Sequence, residues 1–199
     1  MAFTGLFWCG FLVAHLAGNF LLFGGERVFM NYAEAITANK AILYSMEVLM
    51  VVVLLVHVGT ALRVTGENKT ARGSQYAYSG PPVDASLASR TMLQTGLVIF
   101  AFLILHIWTI KFDVRPDENL YFTVVRRFSN WGYSLFYIFA MCLVGMHVSH
   151  GLQSAFQTLG LNHEKYTPCI KNLSRLFGLV IAGGFSSIAL YFLMRGGEL

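Results

Sequence analysis

The sequence predicts an all-α integral membrane protein, a single domain spanning residues 1–199 and built as a bundle of five transmembrane helices. Its 199 residues are 56% hydrophobic and only 12% charged, and the mean hydropathy is +0.59. That is above what a water-soluble domain of this size tolerates. Five apolar runs, Phe3 to Phe23, Leu43 to Arg63, Arg90 to Phe112, Trp131 to Leu152 and Leu173 to Met194, reach the roughly 20 residues that a helix needs to cross a hydrocarbon core of about 30 Å. The first four runs each carry a histidine near the C-terminal end: His15, His57, His106 and His147. A titratable ring in hydrocarbon costs free energy unless something pairs or ligates it.

The first run, TGLFWCGFLVAHLAGNFLLF, starts almost at Met1 without a basic n-region or a small-residue cleavage site, and so reads as a retained helix rather than a signal peptide. His15 and Asn19 lie four residues apart and share a face. Gly24-Gly25 reads as the helix stop. The connection beyond it carries Glu26, Arg27, Asn31, Tyr32, Glu34 and Lys40, a mixture of charges and aromatics suited to an interface.

The second run holds Glu47 near its start and His57 toward its end, and leaves the membrane at Arg63. Val64 to Ser89, rich in Gly, Pro and Ser, is expected to be a water-side loop with a turn at Pro81-Pro82. The third run has His106 near its far end and Trp108 behind it as an interfacial anchor. The connection KFDVRPDENLYFTVVRRFSN that follows contains a short amphipathic piece around Tyr121 to Phe128. The fourth run carries Cys142, His147 and His150 and leaves through Gln153 and Gln157. After the loop TLGLNHEKYTPCIKN, the fifth run has no ionisable residue in its interior. It reads as scaffold, with Gly183-Gly184 and Ser186-Ser187 permitting close helix contact.

Cys9 and Cys142 fall in apolar runs and Cys169 in a predicted loop. Three scattered cysteines make no four-thiolate iron–sulfur site, and no C-x-x-C-H motif is present for covalent haem. The net charge of +4 comes from residues spread over loop ends. It suits lipid headgroups or a soluble partner better than nucleic acid. Lys and Arg divide seven against seven between the two sides of the membrane, so positive charge alone sets no orientation.

Helices of a five-span bundle alternate in direction. His15 and His106 therefore share one depth, and His57 and His147 share another in the opposite leaflet. Two facing neutral imidazoles suit a six-coordinate haem iron, with one nitrogen donor above and one below the macrocycle. Two such layers predict two haem b groups bound between the first four helices, about 10 to 15 Å apart at the helical rise. Zinc fits less well, since its tetrahedral sites gather their ligands at one point. Depth alone does not separate His147 from His150, which lie one turn apart; the one that is not a ligand is expected to donate to a propionate or to solvent. His163, beside Glu164 and Lys165, reads as a solvated side chain.

Four segments, TGLFWCGFLVAHLAGNFLLF, HVGTALRVTGENKTARGSQY, SRTMLQTGLVIFAFLILHIW and HVSHGLQSAFQTLGLNHEKY, together give the chain a family resemblance over nearly its whole length. It resembles the dihaem cytochrome b membrane-anchor subunit of succinate dehydrogenase and fumarate reductase. The family's ligand in the fourth helix precedes a Gly-Leu pair by four positions, here Gly151-Leu152, which implies His147. The resemblance also implies that His57 and His147 hold the haem proximal to the soluble subunits, and that His15 and His106 hold the distal one. It implies a cytoplasmic N-terminus, a flavoprotein and an iron–sulfur partner on that side, and electron exchange with a membrane quinone, menaquinone in this form of the family.

Arg63 and Arg90, at the boundary near the proximal layer, are candidate propionate partners, and Lys111 is a candidate for the distal one; the competing expectation is that each snorkels to headgroups. Glu47 enters the membrane in the distal half, where quinone chemistry needs a proton donor or acceptor. Asn19 and Glu34 are further candidates there. Two other functions fit less closely: a dihaem subunit of another quinone-linked respiratory complex, and a transporter or haemless scaffold using the histidines for protons or packing.

Overall fold

The computed structural model describes residues 1–71, 90–161 and 163–195, and every regular element among them is helical. Helix α1 (Ala2–Phe20) tightens into a 3-10 turn at Leu21–Gly24 and stops at Gly25. The φ of 86° there is a value that glycine adopts without steric cost. Helices α2 (Glu26–Thr37) and α3 (Lys40–Ala71) follow. Helix α4 (Met92–Ile107) runs into a π turn at Trp108–Phe112. Then come α5 (Leu120–Phe128), α6 (Trp131–Thr158) and α7 (Thr167–Arg195). Five segments are long and apolar enough to cross a membrane: Ala2–Gly24, Lys40–Asn68, Met92–Phe112, Trp131–Thr158 and Thr167–Arg195. The chain has the build of a multi-pass membrane protein.

One connection proves more ordered than the sequence reading described, and two expectations are corrected. The connection after Gly25 is itself helical over α2, which buries Phe29 and Ala33 one turn apart and exposes Arg27, Asn31 and Glu34. The stretch after Arg63 is not loop from Val64. Helix α3 continues to Ala71, with Arg63 pairing to Glu67 at 2.7 Å and the Thr65 and Thr70 hydroxyls donating to carbonyls four residues back. The Pro81-Pro82 turn lies outside the described residues. At the other end of the chain, Cys169 is not in a loop but in the first turn of α7, where Pro168 sits at no hydrogen-bond cost. In the last two cases hydropathy marks the apolar part of a helix, whereas the helix itself runs on over polar residues. The expected amphipathic piece near Tyr121 is α5, whose first turn is capped by the Asn119 side chain accepting from the Phe122 N–H.

Helix α6 is the hub, packed against α1, α4 and α7. Its contact with α7 is closest at two glycines that the sequence reading did not single out. A Cβ on Gly178 would lie 2.4 Å from the Gly145 carbonyl oxygen, and one on Gly145 would lie 2.7 Å from that of Gly178. Backbones this close gain dispersion contacts that lipid cannot replace. Of the expected pair, Gly184 faces Leu16 of α1, while Gly183 faces open space. Helix α5 lies over one end of the bundle. Phe128 is buried there, and its carbonyl accepts from the Ser134 hydroxyl at 2.6 Å. Arg126 bonds Glu118 at 2.9 Å, and both Arg126 and Arg127 pair with Asp113 at the exit of the π turn. Helix α3 packs against α1 and α2 and leaves its whole apolar window unburied.

Candidate functional site

Eight polar side chains inside the spans fall into two layers separated by three helical turns. On α1 the layers are marked by Thr4 and His15, on α4 by Thr95 and His106, on α6 by His147 and Tyr137, and on α3 by His57 and Glu47. Each pair is ten or eleven residues apart, or about 15 to 16 Å at the helical rise. Alternating helix directions convert this one spacing into two common depths.

In the second layer the rings of His15 and His106 face each other with centres 6.0 Å apart and planes at 84°. Phe11 stacks on His15 at 5.2 Å and Phe102 on His106 at 5.7 Å, which fixes both imidazoles. His106 Nδ1 is 2.8 Å from the Tyr137 hydroxyl, Tyr137 is 2.9 Å from the Tyr133 hydroxyl, and Tyr133 is 2.7 Å from that of Thr109. Asn19 reaches His15 Nδ1 at 3.3 Å while its amide N–H donates to the His15 carbonyl at 2.7 Å.

In the first layer Thr4 Oγ1 lies 3.0 Å from His57 Nδ1, and Thr95 Oγ1 lies 3.3 Å from His147 Nδ1. His147 is within electrostatic range of His57 and of His150. A glycine on a neighbouring helix fronts each ring: a Cβ on Gly5 would lie 3.7 Å from His57 Cε1, and one on Gly96 would lie 3.4 Å from His147 Cε1. His147 thus turns toward α4, and His150, one turn on, has no hydrogen bond among the described residues.

All four imidazoles share one property. Each has Nδ1 against a hydroxyl or amide, and among the described residues no hydrogen bond reaches any Nε2. At His57 and His147 the threonine hydroxyl already donates to a backbone carbonyl and is free to accept from Nδ1–H, the way metal-bound histidines are held, whereas the Asn19 amide N–H faces His15 Nδ1 as a donor. Metal–imidazole bonds of about 2.0 Å, as at zinc, and a ring nitrogen about 1.1 Å from the ring centre put two trans imidazoles about 6 Å apart. The His15–His106 spacing of 6.0 Å meets that requirement. Among the described residues no cluster of three or more His, Cys, Asp or Glu side chains forms a conventional metal site, so the rings suit an ion that brings its own equatorial donors. An iron porphyrin is such a group, and the His15–His106 pair fits it by ring separation.

The remaining candidates are dispersed. Arg63 belongs to Glu67 on the exposed end of α3. Arg90 is exposed and lies one and a half turns before Thr95, near the first layer. Lys111 pairs with Glu47 at 2.5 Å, joining the π turn to α3 at the second layer; this leaves Glu47 Oε2 without a partner among the described residues. Sequence reading missed Thr4, Thr95, Gly5, Gly96 and the Tyr137–Tyr133–Thr109 chain. The signal available was the recurring separation of ten or eleven residues between a histidine and a hydroxyl-bearing or acidic residue on the same span. No family model, curated protein or solved structure matches this chain.

Proposed function

We propose that the chain is the dihaem cytochrome b anchor of a succinate:quinone oxidoreductase, succinate dehydrogenase or fumarate reductase. It would lie in the cytoplasmic (inner) membrane with its N-terminus cytoplasmic, docked to a flavoprotein and an iron–sulfur subunit. The observation that carries this reading is the doubled imidazole arrangement, four rings in two layers with Nδ1 held and Nε2 open. His57 and His147 would hold the proximal haem, and His15 and His106 the distal one. When bound, haem supplies one-electron transfer.

The chain's own residues hold and insulate. Thr4, Thr95, Tyr137 and Asn19 fix the ring orientations, and Phe11 and Phe102 keep water from the distal pair. Layers about 15 Å apart sit close enough for electrons to cross without a mobile carrier. Quinone reduction takes up two electrons and two protons, so the quinone end of the path needs a proton donor. Glu47 stands at the depth of the distal pair with Oε2 open, held from the other oxygen by Lys111; it is the residue placed to give or take a proton at that carboxylate oxygen. His150, Arg90 and Asn19 lie near the two layers and would accompany the cofactor. Arg63 and Lys111 are already engaged by carboxylates.

The test is a reduced-minus-oxidised visible spectrum and an iron count on the intact purified protein. A b-type spectrum with two haems per polypeptide, and soluble flavin and iron–sulfur subunits in the same preparation, is the expected result. A different set of soluble partners would point to another quinone-linked complex. Colourless protein would leave the transporter or scaffold reading.

A further inference from the structure

The turn between α6 and α7 is built by backbone bonds at both of its ends. Helix α6 stops at Gly160, whose φ of 80° is the left-handed cap that glycine adopts freely. The Gly160 N–H donates to the Gln157 carbonyl at 3.1 Å and the Leu161 N–H to the Phe156 carbonyl at 3.0 Å, a pairing that brings Leu161 back beside Phe156. Helix α7 starts on the His163 carbonyl, which accepts from the Thr167 N–H and the Thr167 hydroxyl, both at 2.8 Å. The Lys165 N–H donates to His163 Nδ1 at 3.1 Å, so the proton of the neutral ring stands on Nε2 and makes that nitrogen a donor.

Two adjoining hollows open on this turn, with His163 in the wall of both. One, of about 650 Å³, is lined by Glu164, Lys171, Asn172 and Arg175. Lys171 and Arg175 stand exposed one turn apart on α7, and among the described residues no hydrogen bond or ion pair engages either. The other, of about 470 Å³, is walled by Phe156, Leu161, Tyr166, Ile170 and Leu173. Leu161, Tyr166 and Leu173 are each more than half exposed. The turn joins the ends of two spans, Trp131–Thr158 and Thr167–Arg195, the level at which a lipid head meets its tails. Two cations against one carboxylate leave a surplus of one positive charge beside an apolar recess. A phosphodiester carries one negative charge and meets that surplus. A zwitterionic head would leave it unmet, and a free anion would leave the recess uncovered.

We propose that the α6–α7 turn holds one phospholipid of net negative charge, with its phosphate on Lys171 and Arg175 and the upper part of an acyl chain against Phe156, Leu161 and Leu173. The Arg175 guanidinium offers phosphate oxygens a planar fork, and Lys171 adds a point charge. His163, shared by the two hollows, supplies a donor where head and chain join. A chain embedded in lipid is all this requires; haem plays no part in it.

The experiment is native mass spectrometry of the intact purified protein, with any subunits that accompany it, titrated with phosphatidylglycerol, with phosphatidylcholine of the same chains and with inorganic phosphate. Wild type should hold one phosphatidylglycerol per polypeptide in preference to phosphatidylcholine. A cation near the membrane surface strengthens binding of acidic lipid by about fivefold. Lys171→Gln and Arg175→Gln should each weaken retention by about that factor, and the two together by roughly thirtyfold. Arg27→Gln with Lys40→Gln removes the same charge from exposed positions on α2 and at the start of α3 and should leave the lipid in place. Leu161→Ser keeps every charge and should weaken the lipid but not phosphate. All of these side chains are exposed, and far-ultraviolet circular dichroism checks that the helices persist. Equal retention of the two lipids, a loss in the Arg27 and Lys40 pair as large as in the Lys171 and Arg175 pair, or unchanged lipid binding in Leu161→Ser overturns the proposal. Inorganic phosphate held as firmly as the lipid would make this an ion site, and soluble subunits lost from the Lys171 and Arg175 pair while its lipid stays would make it a protein contact; either result overturns the proposal as well.

Discussion

Replacing His147 by alanine removes one imidazole of the first layer, while replacing His150 removes a neighbour one turn away that no hydrogen bond among the described residues ties to the interior. The two substitutions delete the same ring from the same helix, so unequal effects report position rather than composition. With layers about 15 Å apart, the sites are beyond the distance at which substitutions usually couple through packing. His147→Ala should halve the haem content, from two to one per polypeptide, and keep the second-layer spectrum. What remains between layers is electrostatic. At an effective dielectric constant of about 20, unit charges about 15 Å apart interact by about 1 kcal/mol. That is about 45 mV for one electron, and it bounds the shift expected in the surviving haem when its charged neighbour is lost. Haem per polypeptide from the alkaline pyridine spectrum, together with a redox titration, reads both quantities. His150→Ala should keep both haems. Loss of a haem in His150→Ala with none lost in His147→Ala, or loss of both in His147→Ala, would refute the pairing of His57 with His147.

Two further outcomes follow from individual contacts. Glu47→Gln should keep both haems and their spectra yet slow quinol oxidation or quinone reduction by roughly 10²- to 10⁴-fold, the range that a positioned acid or base supplies; unchanged turnover with a native quinone removes Glu47 from the proton path. Gly178→Ala sets a methyl 2.4 Å from a backbone oxygen that cannot give way, so α6 and α7 must part at a cost of about 1 to 3 kcal/mol. Gly183→Ala adds its methyl in open space and should be neutral or slightly stabilising. Thermal scans of the two variants in detergent should place Gly178→Ala clearly below wild type and Gly183→Ala at or above it.

Hydropathy made the five crossings legible, because each had to present about 20 apolar residues whatever its neighbours were. The matched depths of the histidines were equally open to reading, since depth along a helix is residue count multiplied by a fixed rise. What escaped was decided around the helix axis or beyond the lipid. Whether His147 or His150 points inward depends on the rotation of α6 against α4, which Gly96 and Thr95 set from another segment. The helix over Glu26–Thr37 was hidden because its apolar face is only two buried residues wide, Phe29 and Ala33. The place of Lys111 near the membrane boundary was legible, but its pairing with Glu47 was not, because the π turn sets it against a different span. The tyrosines passed as ordinary aromatic filler, since nothing local to Tyr133 or Tyr137 reveals a histidine about thirty residues earlier in the chain.

The unequal packing of the helices bears on the same chemistry. Helix α6 is wedged between α1, α4 and α7 and carries the core, while α3 rests on α1 and α2 with none of its apolar window buried. Yet α3 supplies one of the four imidazoles and the carboxylate that Lys111 holds. A helix that contributes functional groups without contributing to the core has too little side-chain packing of its own to fix those groups precisely. In lipid there is no hydrophobic force to press it inward, because the tails are as apolar as its own surface. A rigid group spanning from His57 to His147 would supply that missing contact and turn a loosely leaning helix into a fourth wall. On this argument the proposed cofactor would be part of the fold, and the glycines at positions 5 and 96 let the two rings sit against the neighbouring helices.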